Sequence, residues 1–140
     1  MPEESTTPDL VELNRRAIEA VARRDFDAAI APYGPESVWD ASALGLGTYR
    51  GVDAIRRSFE EWTAIYEDFE VEIEENLNLG NGVMLSVARQ RGRMAGSSGY
   101  LEFRYATITA WTDGLIEQVT PFTDIDEARA AAERFAEERG

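Results

Sequence analysis

Hydrophobic and polar positions change their period once along this chain. In the first half Leu10, Leu13, Ala17, Ile18 and Val21 recur at three- and four-residue intervals. Glu12, Arg15, Arg16, Glu19, Arg23 and Arg24 fall on the other side, which predicts an amphipathic helix. Thr7 offers the cap of that helix and Pro8 its first position, after a disordered tail over residues 1–6. Asp25 reads as a second N-cap opening a short helix over 26–31, which Pro32 and Gly34-Pro35 end. A short strand over 37–40 and a glycine-rich loop over 41–50 follow. A third helix is expected over 51–67, with Val52, Ile55, Phe59, Trp62 and either Ile65 or Tyr66 on one face.

Beyond residue 67 the period becomes two. Phe69, Val71 and Ile73 alternate with Asp68, Glu70, Glu72 and Glu74, as a half-buried strand requires. Gly80-Asn81-Gly82 reads as a turn, 83–94 as a long strand, 95–99 as a hairpin loop and 100–112 as the returning strand. Asp113-Gly114 turns the chain into a last strand over 115–123, and 124–138 closes as a helix rich in Ala, Glu and Arg. Helices packed on one face of a curved antiparallel sheet bury both patterns, so the chain reads as a single α+β domain over 1–140.

Composition narrows the chemistry more than the fold. The 140 residues carry 14 basic and 27 acidic side chains, a net charge of −13, and every basic residue is arginine. With no Cys, His or Lys, thiol nucleophiles, imidazole bases, Schiff-base amines and Cys/His zinc sites are all excluded. The acidic balance argues against nucleic acid as a partner. No apolar run is long enough for a membrane span and the start of the chain is polar and acidic, so a cytoplasmic protein is expected. No metal or cofactor motif is present: there is no acidic calcium loop, and Gly45-Leu46-Gly47 does not join a strand to a helix.

The segments LNRRAIEAVARRDFDAAIAPYGPESVWD, GTYRGVDAIRRSFEEW and VARQRGRMAGSSGYLEFRYATITAWTDGLIEQVTPFTDIDEARAAA carry a resemblance. Over residues 8–135 the chain resembles the SnoaL-like branch of the nuclear transport factor 2-like superfamily. The resemblance implies a cone-shaped α+β barrel: a curved antiparallel sheet wrapped around three helices, with an apolar pocket and here an added C-terminal helix. Members include ketosteroid isomerases, polyketide cyclases, epoxide hydrolases and dehydratases, so activity must be read from the site and not from the fold.

Carried over by position, the isomerase base falls on Asp40, while the two oxyanion donors fall on Ala17 (or Arg16) and Thr107. Neither is the Tyr or protonated Asp that the resemblance calls for, which argues against steroid isomerisation by that route. An epoxide-hydrolase Arg-x-Asp would need an Asp two positions after Arg104, where Ala106 stands. The cyclase acid/base implied near the last strand falls on Asp124, whose other reading is the N-cap of the closing helix.

Asp40 is thus the leading acid/base, at a cone mouth where apolar neighbours would raise its pKa; the alternative is a loop-end residue bonding the backbone over 41–44. Centring the hairpin on 96–99 sets Gln90 opposite Tyr105 on the inner face, where they orient a ligand oxygen or satisfy each other. Trp39, Phe59, Trp62, Met94 and Phe103 are core or pocket lining, and Tyr49 closes the mouth or packs on Trp39. On the outer face the same register sets Arg91 opposite Arg104, so Arg89, Arg91, Arg93 and Arg104 are expected to pair with the acidic row 68–74. In the superfamily this outer face often makes a homodimer, and Val87 and Ile108 centre the patch for it here.

Two functions follow. One is a lyase, isomerase or cyclase acting through a carboxylate on a hydrophobic, oxygenated small molecule. The other is a non-catalytic ligand-binding or dimerisation module.

Overall fold

The computed structural model describes residues 9–140, the side chain of Ala43 excepted. Its elements run α1 (Leu10–Ala22), α2 (Phe26–Ile30), β1 (Tyr33–Asp40), β2 (Thr48–Arg50), α3 (Val52–Thr63), β3 (Tyr66–Asn78), β4 (Val83–Met94), β5 (Tyr100–Thr112), β6 (Leu115–Phe122) and α4 (Ile125–Arg139). A 3-10 turn, Ser42–Leu44, joins β1 to β2. The cap of α1 is Asp9, whose carboxylate accepts from the Val11 amide at 3.0 Å; Thr7 and Pro8, expected at that end, lie outside the described residues. Among the described residues no helix is long and apolar enough to cross a membrane.

The strands form one sheet in the order β2-β1-β6-β5-β4-β3. Every neighbouring pair is antiparallel except β1 with β6, a parallel pair that the purely antiparallel expectation missed. Register irregularities in β1, β3 and the β5–β6 pair bend the strands, and the sheet curls without closing, since β2 and β3 remain edges. Thr48–Arg50 was expected within a loop; three residues are too few to show an alternation, and they form β2 by pairing with Val38–Asp40.

Helix α3 stops four residues before the expected end at 67. The Thr63 hydroxyl bonds back to the Phe59 carbonyl at 2.9 Å. One guanidinium nitrogen of Arg24 also takes the Thr63 carbonyl at 3.0 Å and the Tyr66 carbonyl at 2.6 Å. The chain leaves the helix there and enters β3 with Tyr66 buried and Ile65 exposed. Arg24, expected to face water alone, ties the end of α1 to this junction.

Apolar packing fills both faces of the sheet. On the inner face Ile55, Phe59, Met84, Trp111 and Ile116 join residues of α1 and α2. On the outer face Val83, Leu85, Val87, Ala106 and Ile108 lie beneath Ala128, Ala132 and Ala136 of α4. Alanines four apart bring that helix close to the sheet, and each covered Val or Ile is worth roughly 1.5–3 kcal/mol. Val87 and Ile108 are therefore 0% and 6% exposed, so the patch expected to centre a dimer is covered by the chain's own last helix.

The β4–β5 hairpin keeps the expected faces and shifts its partners by two residues. Arg93 pairs with Tyr100, Arg91 with Glu102, Gln90 with Phe103 and Ala88 with Tyr105. Arg91 faces Glu102 and not Arg104, and Gln90 does not face Tyr105. Charge pairing across the hairpin does not choose between the registers, because each sets one arginine opposite Arg104 and another opposite Glu102. Arg89 and Arg104, now opposite, share Glu74 at 3.0 and 2.8 Å, while Arg93 pairs with Asp68 at 2.7 Å. These pairs are largely solvent-exposed and worth at most about 1 kcal/mol each.

Candidate functional site

Between the helices and the inner face lie two adjoining apolar chambers. The inner one, about 70 Å³, is bounded by α1 and by β4, β5 and β6; the outer one, about 220 Å³, opens beside the 3-10 turn. Trp39, Phe59, Trp62 and Tyr105 line both, so a single aromatic wall serves the two spaces. Trp39 and Phe59 meet edge to face at 5.2 Å, and Phe59 meets Tyr33 in the same way at 6.1 Å. Tyr49 and Phe103 line the outer chamber and Thr107 the inner one. Seven of the nine expected ligand residues are thereby brought together.

Two sets of polar groups in this lining contrast. At the floor of the inner chamber Asn14 donates to Ser86 Oγ at 2.7 Å and to Asn76 Oδ1 at 3.1 Å, and accepts from Trp111 Nε1 at 3.1 Å. Ser86 donates to Asn76 at 3.0 Å, and Asn76 donates to the Val11 carbonyl at 2.7 Å. This network spends its hydrogen bonds on itself and holds α1 to the sheet. Tyr105 and Tyr33, in contrast, line the chamber, and their hydroxyls make no hydrogen bond to another described residue. Burial pushes the Tyr105 phenol up to about 12 and raises that of Tyr33 as well, so both stay neutral donors at physiological pH. Among the described residues no Asp, Glu or Arg lines either chamber.

The remaining candidates lie elsewhere. Asp40 is outside both linings. Its Oδ1 accepts from the Ser42 hydroxyl at 2.6 Å, the Ser42 amide at 3.0 Å and the Thr48 hydroxyl at 3.3 Å. Those bonds from Ser42 first, then Thr48 and the charge of Arg50, lower its pKa, where an apolar mouth was expected to raise it. Asp40 is the loop-end residue of the alternative reading: with the Ala41 amide on the Gly47 carbonyl at 2.8 Å, it holds the loop that presents Leu44 and Leu46 to the outer chamber. Asp124 is exposed and caps α4 through the Glu127 amide at 3.0 Å. Met94 is 41% exposed at the hairpin end, and Gln90 is fully buried but lines neither chamber.

The Asp40 arrangement has a measurable consequence. A carboxylate whose folded pKa lies below its ordinary 3.8 holds its partners fully above that value and releases them as pH falls through the lower folded one. The Ser42 amide resonance is expected to titrate below pH 3.8, and Asp40→Ala to abolish that titration while changing global stability by less than about 0.5 kcal/mol.

The sequence pattern of the SnoaL-like domain matches residues 14–119, well over half of the chain. The chain belongs to the SnoaL-like family. Solved structures bear out the fold. An NTF2-like protein of Burkholderia thailandensis superposes with a TM-score of 0.71 at 23% identity, covering 90% of this chain and 98% of that one. A Catenulispora acidiphila protein with a ketosteroid isomerase-like fold, solved with trimethylamine, gives 0.71 at 16% identity, covering 86% and 92%. A Shewanella denitrificans protein described as a SnoaL-like polyketide cyclase gives 0.68 at 14%, covering 89% and 96%. A comparison with curated proteins finds no match.

Within this SnoaL-like fold the two positions that the isomerase resemblance assigns to oxyanion donors, Ala17 and Thr107, both line the inner chamber. Neither carries the Tyr or Asp that the resemblance calls for. Sequence reasoning missed Asn14, Tyr33 and the pair Leu44 and Leu46. Asn14 was findable, since it lies three and four residues from Ala17, Ile18 and Leu10 on the apolar stripe of α1, where a polar residue must find buried partners. The leucines gave no signal, because only the folded loop brings them to the mouth.

Proposed function

We propose that this SnoaL-like chain binds a neutral, hydrophobic small molecule of mono- or bicyclic size that carries an oxygen acceptor. The observation that carries the reading is the paired chamber walled by Trp39, Phe59, Trp62 and Tyr105, with the Tyr105 hydroxyl unspent inside it. Apolar lining supplies affinity, and one neutral donor orients an ether, ketone or hydroxyl oxygen. A charged ligand would enter without a countercharge and lose its hydration. Binding is favoured over carboxylate acid/base catalysis, since Asp40 and Asp124 are engaged outside the lining. A fold shared with a protein described as a polyketide cyclase is compatible with an oxygenated ring compound as the ligand.

Equilibrium dialysis with 2-methoxynaphthalene, a neutral bicyclic acceptor, tests the reading. Saturable one-to-one binding is expected. Tyr105→Phe should weaken it about 2–10-fold, the worth of one neutral hydrogen bond, and Asp40→Asn should leave it unchanged. Absence of saturable binding, or equal affinity for a charged analogue such as 2-naphthoate, would defeat the proposal.

A further inference from the structure

Gln90 Oε1 is the one side-chain polar atom among the described residues that is sealed from solvent and has no partner. Gln90 is fully buried on the inner face of β4, and its Nε2 donates to the Tyr66 hydroxyl at 3.2 Å. Flipping the amide only exchanges which atom is orphaned, since Tyr66 offers a single oxygen. Two polar valences are therefore left over side by side, one on the amide and one on the phenol.

Their place in the fold is next to the chambers. Gln90 is the next inward-facing residue after Ala88, which lines the inner chamber. Its strand partners are Val71, lining the inner chamber, and Phe103, lining the outer one. Trp62, part of the wall common to both chambers, meets Phe69 edge to face at 5.3 Å, and Phe69 packs against Tyr66 at 5.4 Å. This aromatic row borders the Gln90–Tyr66 pair. The pair is also held in place by a glycine: a Cβ on Gly92 would lie 2.5 Å from the Tyr66 ring, so only glycine lets that ring lie on β4.

We propose that Gln90 and Tyr66 form a polar compartment of the same pocket, reached past Trp62, that reads a hydroxyl group on the ligand. A hydroxyl donates and accepts at once, so it completes the pair in either amide orientation; an ether or a halide does not. Resting on the pocket reading above, this narrows the ligand class to hydroxylated ring compounds such as phenols, naphthols or enols. Tyr105 takes an acceptor on the ligand, and Gln90 with Tyr66 takes the hydroxyl.

The test compares 2-naphthol with 2-methoxynaphthalene, which differ in the hydroxyl proton and the methyl that replaces it, on the intact chain by titration calorimetry. Wild type is expected to prefer naphthol by about tenfold, a difference of about 1.4 kcal/mol. Gln90→Met, which keeps the volume, and Tyr66→Phe should each erase the preference while leaving methoxynaphthalene affinity within about twofold. Two substitutions at different elements keep the test alive if one fails to fold. Equal affinity for the two probes in wild type, or a preference that survives both substitutions, overturns the inference and leaves the pocket reading standing. A Gln90→Met protein that melts at higher temperature with unchanged preference identifies the pair as the seat of a buried water only, and also overturns it. Failure of wild type to bind either probe defeats the pocket reading and this inference with it.

Discussion

Phe59→Ala is expected to cost about 3–5 kcal/mol of stability, a large share of the roughly 5–15 kcal/mol that a domain of this size has. The ring is 2% exposed and packs edge to face against both Tyr33 and Trp39, so its removal strips two aromatic contacts along with its own burial. Chambers already border it on two sides, and contacts absent there lose nothing, which places the value towards the lower end. A urea melt should show a lower midpoint with an unchanged slope. The same substitution merges the chambers, so methoxynaphthalene binding should weaken even at temperatures where the variant is folded. A stability loss below about 1 kcal/mol would show that the aromatic wall is not a keystone of the fold.

Asn14→Ala is the second large effect, about 2–4 kcal/mol. It removes both donors to Ser86 and Asn76 and leaves Trp111 Nε1, in a side chain 3% exposed, without an acceptor. One orphaned buried donor and two lost hydrogen bonds account for that sum. Water entering from the inner chamber, which Asn14 lines, would replace part of it and set the lower bound. Equilibrium unfolding gives the loss directly. The Trp111 indole N–H resonance gives the cause, through faster exchange in the variant. An indole proton as protected as in wild type would show that another group holds it.

These two residues illustrate how unevenly the site was legible. Phe59 stood out as one of a set at helical spacing on α3, with Ile55 and Trp62. Asn14 sat within the apolar stripe of α1 as an exception, and its partners Asn76, Ser86 and Trp111 come from three different strands, a convergence that no local pattern encodes. Asp40 was read from position, and it does end β1, but outside both chamber linings. Its chemistry was not legible, because the hydrogen bonds that lower its pKa come from a 3-10 turn and a three-residue strand inside what reads as a plain loop. The hairpin faces followed from alternation, while the partners slipped by two, since a two-residue slip keeps every side chain on its face and alternation does not distinguish the alternatives.

By itself, then, the sequence determined the four helices, five of the six strands with the sidedness of the long ones, and the absence of Cys, His and Lys chemistry. Those are consequences of period and composition, which are local or global properties of the chain. Tertiary structure alone decided that α4 covers Val87 and Ile108, that the carboxylates lie outside the chambers, and that Gln90 keeps an unpaired oxygen beside them. The physical reason is common to all three: burial and hydrogen bonding are settled between segments tens of residues apart, and their energies depend on contacts that spacing along the chain does not carry.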